Sequence, residues 1–335
     1  ETPEGNALVR LTAINYTSDG RLECKGKFAS QAVYTPAALG VSPVVTGPTT
    51  IASAGASDYV LLDVPYLHTA QADPSFLAAM YGVSAGWPGG VLIRTDDAGT
   101  TWNDLQAFDP PGSDVGVATN TISTVDSRVW DKASSLSVTM LNGSLSSTTE
   151  LAVLNGENYF AYGDEGRWEI IGVQNCVLVS GKSYTLYDML RGRAGTEWAM
   201  STHQIGDKLV SLSLTDVTAI GMATATIGLS REYRGITYGN DIDTDVDFPF
   251  AYTGVNLECL SPVYVRGYKT VATNDWNLEW VRRSRTDGEW RDMVDAGLSE
   301  TSEAYEVDIF ADGTFATVKR TIAAATQSCT YTSAQ

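Results

Sequence analysis

The chain has 335 residues, 43% hydrophobic and 19% charged, with 40 acidic against 22 basic side chains and a formal net charge of −18. That composition is globular, the length suits two or three modules, and so acidic a surface repels phosphate backbones, which argues against nucleic-acid binding. Cys24, Cys176, Cys259 and Cys329 form no C-x-x-C pair and only His68 and His203 supply imidazoles, so neither a zinc site nor a disulfide framework is expected; no apolar run reaches the roughly 18 residues of a membrane span.

The first segment, 8–16, is β-rich and turns at Asp19-Gly20. Leu22, Cys24, Gly26 and Phe28 then alternate with charged residues, as a half-buried strand does. Residues 1–40 are read as the end of an upstream domain and 41–57, rich in Pro, Gly, Thr and Ser, as a linker. A central β-rich region covers 58–233. Within it, Asp73-Pro74 before the apolar run 76–81 predicts one short helix, with an N-cap acid and Pro in the first turn. Strands are expected at 91–93, 135–141, 150–154, 168–172, 183–186 and 208–214, with turns at Asn142-Gly143 and Asn155-Gly156. An acidic linker is expected over 234–258.

From 259 to 335 the pattern is that of a fibronectin III-like sandwich. Trp276, Leu278 and Trp280 alternate with Asn277 and Glu279, while Tyr305, Val307 and Ile309 alternate with Glu306 and Asp308. Turns fall at Asp287-Gly288 and Asp312-Gly313. This last module offers about 75 residues where a complete sandwich needs about 100, so it is expected to be incomplete and the chain a piece of a longer polypeptide. The predicted fold class is all-β: several sandwich or barrel modules with one short helix.

Few residues invite chemistry. Thr95 to Trp102 fits the Asp-box pattern, in which Asp97 accepts backbone N–H groups across a hairpin, Gly99 takes a positive φ and Trp102 covers the turn. It occurs once, so a folding device is expected rather than a propeller. Asp241, Asp243, Asp245 and Asp247 alternate and could chelate Ca²⁺. Counting from Asp241, the EF-hand positions for Gly and Glu hold Val246 and Tyr252, so only an irregular Ca²⁺ site is open, against a solvated acidic linker. Arg282, Arg283 and Arg285 beside Trp280 and Trp290 are expected to ladder against Glu279, Asp287, Glu289 and Asp292 and to stack on the indoles. His203 is expected to pack a loop. Neither histidine lies near a nucleophile motif, and no catalytic residue or cofactor is assigned. Tyr81, Trp87, Tyr159 and Tyr162 could stack on sugars, though core or intersubunit packing suits them better.

The run Leu190-Arg191-Gly192-Arg193-Ala194-Gly195-Thr196-Glu197-Trp198-Ala199 resembles the L-L-R-G-R-x-G-T-E segment of tail-tip (baseplate hub) proteins of gene transfer agents and related siphophages. Further pieces resemble the family in the same order: Leu61 to Pro65, Arg94 to Trp102, Leu154 to Asn158, Trp168 to Ile171, His203 to Asp207, Trp280 to Arg285, and Leu298 to Val307. The likeness extends over nearly the whole chain. One departure is that full-length members carry a hub region, and sometimes a hydrolase-like barrel, upstream; nothing here resembles that barrel, so no activity carries over.

The resemblance implies a non-enzymatic, homotrimeric part of a virion tail tip, assembled in the bacterial host cytoplasm. Its partners would be other tail and baseplate proteins, tail fibres, and a host-surface glycan or receptor. Arg191 and Arg193 are read as structural clamps on neighbouring carboxylates. A carbohydrate-binding module and an envelope-glycan hydrolase are the competing readings.

Overall fold

The computed structural model describes residues 9–29, 55–286 and 296–334. Residues 1–53 and 54–335 form two compact units. In the first, β1 (Val9–Tyr16) and β2 (Leu22–Phe28) make an antiparallel hairpin through the Asp19-Gly20 turn. Both strands are exposed on both faces, so the expected half-burial of Leu22, Cys24 and Phe28 is corrected. A two-stranded ribbon has no second layer of its own to cover one face. Most of the expected linker 41–57 lies outside the described residues.

The second unit begins with β3 (Ser57–Leu62), β4 (Ser75–Gly82), β5 (Gly90–Thr95) and β6 (Asn103–Phe108). It continues through β7 (Val115–Ala118), β8 (Leu136–Asn142), α1 (Glu150–Leu154), β9 (Tyr159–Gly163), β10 (Glu169–Ser180) and β11 (Ser183–Arg193). Then come β12 (Lys208–Ser211), β13 (Thr218–Gly221), β14 (Ser230–Thr237) and β15 (Phe248–Ala251). Strands β7 to β12 close into an antiparallel barrel in the order β10-β11-β8-β7-β12-β9. Leu136, Val138, Phe160, Ile171, Val173, Leu186 and Leu209 belong to its main buried cluster.

Beside the barrel lies the sheet β13-β4-β3, and beyond that the sheet β15-β14-β5-β6. Every residue of β4 is buried because the strand is a middle layer. Leu77, Ala79 and Tyr81 pack with Val115, Ala161, Ile170 and Val210 of the barrel. Phe76, Ala78 and Met80 point the other way, onto Leu92, Tyr233 and Phe250. A strand covered on both faces reads as a continuous apolar run, which periodicity does not separate from a helix. The helix expected at 76–81 is therefore this strand.

The short helix forms instead at Glu150–Leu154, where a strand is expected. The Thr149 side chain accepts the Ala152 N–H at 3.2 Å, and Glu150 sits in the first turn, where the helix dipole favours an acid. The acidic stretch 234–258 is likewise no linker: β14 pairs with β5 and β15, and Phe250 and Tyr252 enter the core.

The remaining strands are β16 (Val263–Lys269), β17 (Trp276–Val281), β18 (Tyr305–Phe310), β19 (Val318–Ala324) and β20 (Ser328–Tyr331). They form a sheet β16-β17-β20 and a hairpin β18-β19. Trp280 is buried and meets Tyr305 edge-on at 5.1 Å between ring centroids, joining sheet to hairpin. The expected turn at Asp287-Gly288 lies outside the described residues. The described residues are all-β with one short α-helix and a few brief 3-10 helices, and none of the helices is long and apolar enough to cross a membrane.

Candidate functional site

Arg191 is the largest fully buried side chain of the second unit. On a regular strand Arg191 and Arg193 would share a face. The β10–β11 ladder instead shifts register between the Gly172↔Leu190 and Ile170↔Arg193 pairs, which places one extra residue in β11. Gly192, at φ 59°, sits within that bulge. A bulge with glycine in the left-handed region re-aims the side chains beside it. Arg191 turns into the barrel end, and Arg193 turns away from it.

Inside, Arg191 grips Glu169 with two parallel bonds, Nε to Oε1 and Nη2 to Oε2, each 2.7 Å. The Gly192 N–H also donates to Oε1, at 2.8 Å. Arg191 Nη1 reaches the Ser123 carbonyl at 3.3 Å and Asp131 at 3.5 Å. Asp131 in turn accepts the Ser134 and Ala133 N–H groups. On the far side of Glu169 stands His203, with Nε2 at 2.6 Å from Oε2 and Nδ1 at 3.2 Å from Asp207 Oδ2. Carboxylate oxygens only accept, so each contact needs a hydrogen on the imidazole nitrogen that faces it. Asp207 is closed by Arg167, which also donates to the Thr202 carbonyl at 3.0 Å. The Tyr162 ring stacks on His203 at 3.9 Å.

Three carboxylates thus alternate with two guanidiniums and an imidazole in a line from Asp131 to Arg167, and their charges cancel when the imidazole is protonated. Burial works to raise the Glu169 carboxyl above its usual range, but hydrogen bonds from His203 and Arg191 and the Arg191 charge outweigh it and hold it low. Asp207 is held low against burial by Arg167, the Gln204 N–H and His203. Asp131 is held low against burial by Ser134, Ala133 and Arg191. The His203 side chain is 1% exposed. Such a line fixes strand ends and loops to one another by charge-assisted bonds. Sequence reading missed Glu169, His203 and Asp207 as a set. The available signal was an acid placed inside the apolar run Trp168-Glu169-Ile170-Ile171, a pattern that marks a paired, buried charge.

The other sequence-derived residues lie apart from this line. In the β5–β6 hairpin, Asp97 accepts the Thr101 N–H and hydroxyl at 2.8 Å each and the Thr95 hydroxyl at 2.9 Å, and Gly99 takes φ 84°. These bonds hold the Asp97 carboxyl below its usual range. The indole of Trp102 carries the Arg234 guanidinium at 4.4 Å from its ring. The alternating aspartates gather around that same arginine: Arg234 pairs with Asp247 at 2.6 Å and Asp243 at 3.0 Å, and Asp245 caps the Gly235 N–H. Asp241 opens the turn through its carbonyl, which accepts the Thr244 hydroxyl. Among the described residues no group of three or more His, Cys, Asp or Glu could hold a metal ion.

Of the expected arginine ladder, Glu279 pairs with Arg266 instead, while Asp287, Glu289, Trp290 and Asp292 lie outside the described residues. Arg282 pairs with Glu303, Arg283 with Glu197 and Arg285 with Glu300. Among the described residues Arg193 clamps no carboxylate, and its Nε is buried without a hydrogen-bond partner. Tyr81, Trp87 and Tyr162 are core residues. All four cysteines are free thiols.

Residues 113–210 match the family model described as Rcc01698-like, C-terminal. The matched span runs from just before β7 through nearly all of β12, so it coincides with the closed barrel and contains the whole buried charge line. It is compatible with a structural protein related to phages or gene transfer agents. No curated protein matches the chain.

Proposed function

We propose that this chain is a structural component of a phage-type tail tip, part of a baseplate hub that supports fibres or contacts the host surface, and that it catalyses no reaction. One observation carries the reading. The motif Leu190 to Glu197, which resembles the hub family, supplies the arginine around which the barrel end is built, and the barrel coincides with the matched family span. A charge line locked out of solvent suits a part that must keep its shape under load, because its bonds are short, directional and unscreened by salt. In this reading the copies form a homotrimer, and the last strands make a fibronectin III-like module. The partners are other tail and baseplate proteins and a host-surface glycan or receptor. Assembly takes place in the bacterial host cytoplasm, and the mature site is the virion tail tip.

Deleting the gene in the producing cell tests the proposal. Tails that fail to mature, or particles that cannot deliver DNA, with recovery on complementation, are the expected result. Complete and fully competent particles from the deletion strain contradict it.

A further inference from the structure

Arg193 lines a cavity of about 410 Å³ together with Tyr66, Ser127, Arg282, Arg283 and Arg285. Four arginines at one cavity are out of keeping with a chain of net charge −18. Three of them are held in place. Arg285 forks onto Glu300, Arg283 bonds Glu197 and the Ser261 carbonyl, and Arg282 bonds the Ala296 carbonyl and Glu303. Among the described residues Arg193 alone of the four forms no ion pair.

A guanidinium presents a planar set of donors shaped for carboxylate or phosphate oxygens. The bulge that sends Arg191 into the barrel is the same feature that presents Arg193 to this cavity. The other three arginines are engaged by Glu303, Glu197 and Glu300, which leaves Arg193 as the one open to a ligand among the described residues.

We propose that this cavity is an oxyanion-binding site, in which Arg193 takes the carboxylate or phosphate group of a small ligand. The terminal nitrogens of Arg193 donate to the ligand oxygens, and Ser127 and Tyr66 line the same cavity. The volume admits a group the size of one acidic sugar as well as a bare phosphate, so carboxylate and phosphate are separate arms of one test. The site stands independently of the tail-tip assignment, since it rests on Arg193 and the cavity alone.

Titration calorimetry on the full chain, with inorganic phosphate, glucuronate and neutral glucose as probes, decides it. Saturable binding of phosphate or glucuronate at or below the millimolar range is expected, with none for glucose. Arg193→Met should weaken it by about tenfold or more, since a bidentate charged contact is lost, while Arg193→Lys retains part of it. Arg266→Met, on exposed β16, should leave it unchanged. Circular dichroism checks that each variant keeps the parent fold, and Arg193→Lys serves if the methionine variant does not. No saturable binding of either anion at tens of millimolar overturns the proposal. So does binding that survives Arg193→Met, or that falls equally in Arg266→Met.

Discussion

Glu169 and Arg191 face each other across β10 and β11 through two parallel 2.7 Å hydrogen bonds, with both side chains at 0% exposure. Neither charge has water to fall back on, so each makes the other affordable in the barrel. Removing one partner of such a pair typically costs about 3–5 kcal/mol, because the survivor stays buried and unpaired. Glu169→Gln and Arg191→Met are each expected to lower unfolding free energy on that scale. The double variant should lose clearly less than the sum, and urea denaturation of the four proteins measures this. Additive losses would show that the two groups do not act as a pair.

Acid should loosen the same line. Glu169, Asp207 and Asp131 all release their protons more readily when folded than when unfolded, Glu169 from an ordinary 4.5 and the aspartates from 3.8. The unfolded chain therefore binds the extra protons. Stability from these groups is in place above about pH 4.5 and drains away as pH falls below it. Denaturation midpoints measured from neutral pH downward should drop through this window. The drop should be shallower in Glu169→Gln, and a midpoint that rises on acidification there would contradict the assignment.

Asp114 behaves with the opposite sign. Burial, and then the nearby Asp216 charge, push it up to about 6 despite a hydrogen bond from the Ser144 backbone. The folded chain holds this proton more tightly, so stability is lost as pH rises from the ordinary 3.8 through 6. Asp114→Asn should stabilise the protein above pH 6 by roughly 1 kcal/mol, discounted for partial exposure, and have little effect at pH 4. Thermal melts at the two pH values check it, and a variant less stable at pH 8 would exclude this role.

Arg234 ties the Asp-box hairpin to the acidic stretch, by lying on Trp102 and pairing with Asp243 and Asp247. Arg234→Met should cost about 1 kcal/mol and hasten proteolytic cleavage between residues 238 and 247. Cleavage at the parent rate would mean that the stretch is held by its backbone alone.

How far the sequence foretold this depends on the kind of pattern involved. Trp280, Val307 and Ile309 were legible because one face of each strand is polar, so period two survives in the residue order. The Asp-box hairpin was legible because all its bonds lie within a few residues. The run Phe76 to Tyr81 was not, since a strand sandwiched between two layers loses its alternation. Arg234 and its aspartates looked like a linker because a carboxylate that serves a guanidinium and one that meets solvent are the same letter. The charge line was half legible: Arg191 stood out by its motif, but Glu169, His203 and Asp207 come together only when β10, β11 and the loop before β12 close the barrel. Nothing in the order of residues announces that Gly192 carries a bulge, and that bulge decides which arginine is inside.

The central claim, that this chain is a structural part of a tail tip, is tested most directly by finding it on the particle. Purified particles carrying an epitope on the chain, decorated with antibody and imaged by electron microscopy, should show label only at the distal end of the tail, in a threefold arrangement. Label spread along the tail or on the head, or a chain absent from purified particles, would contradict the account.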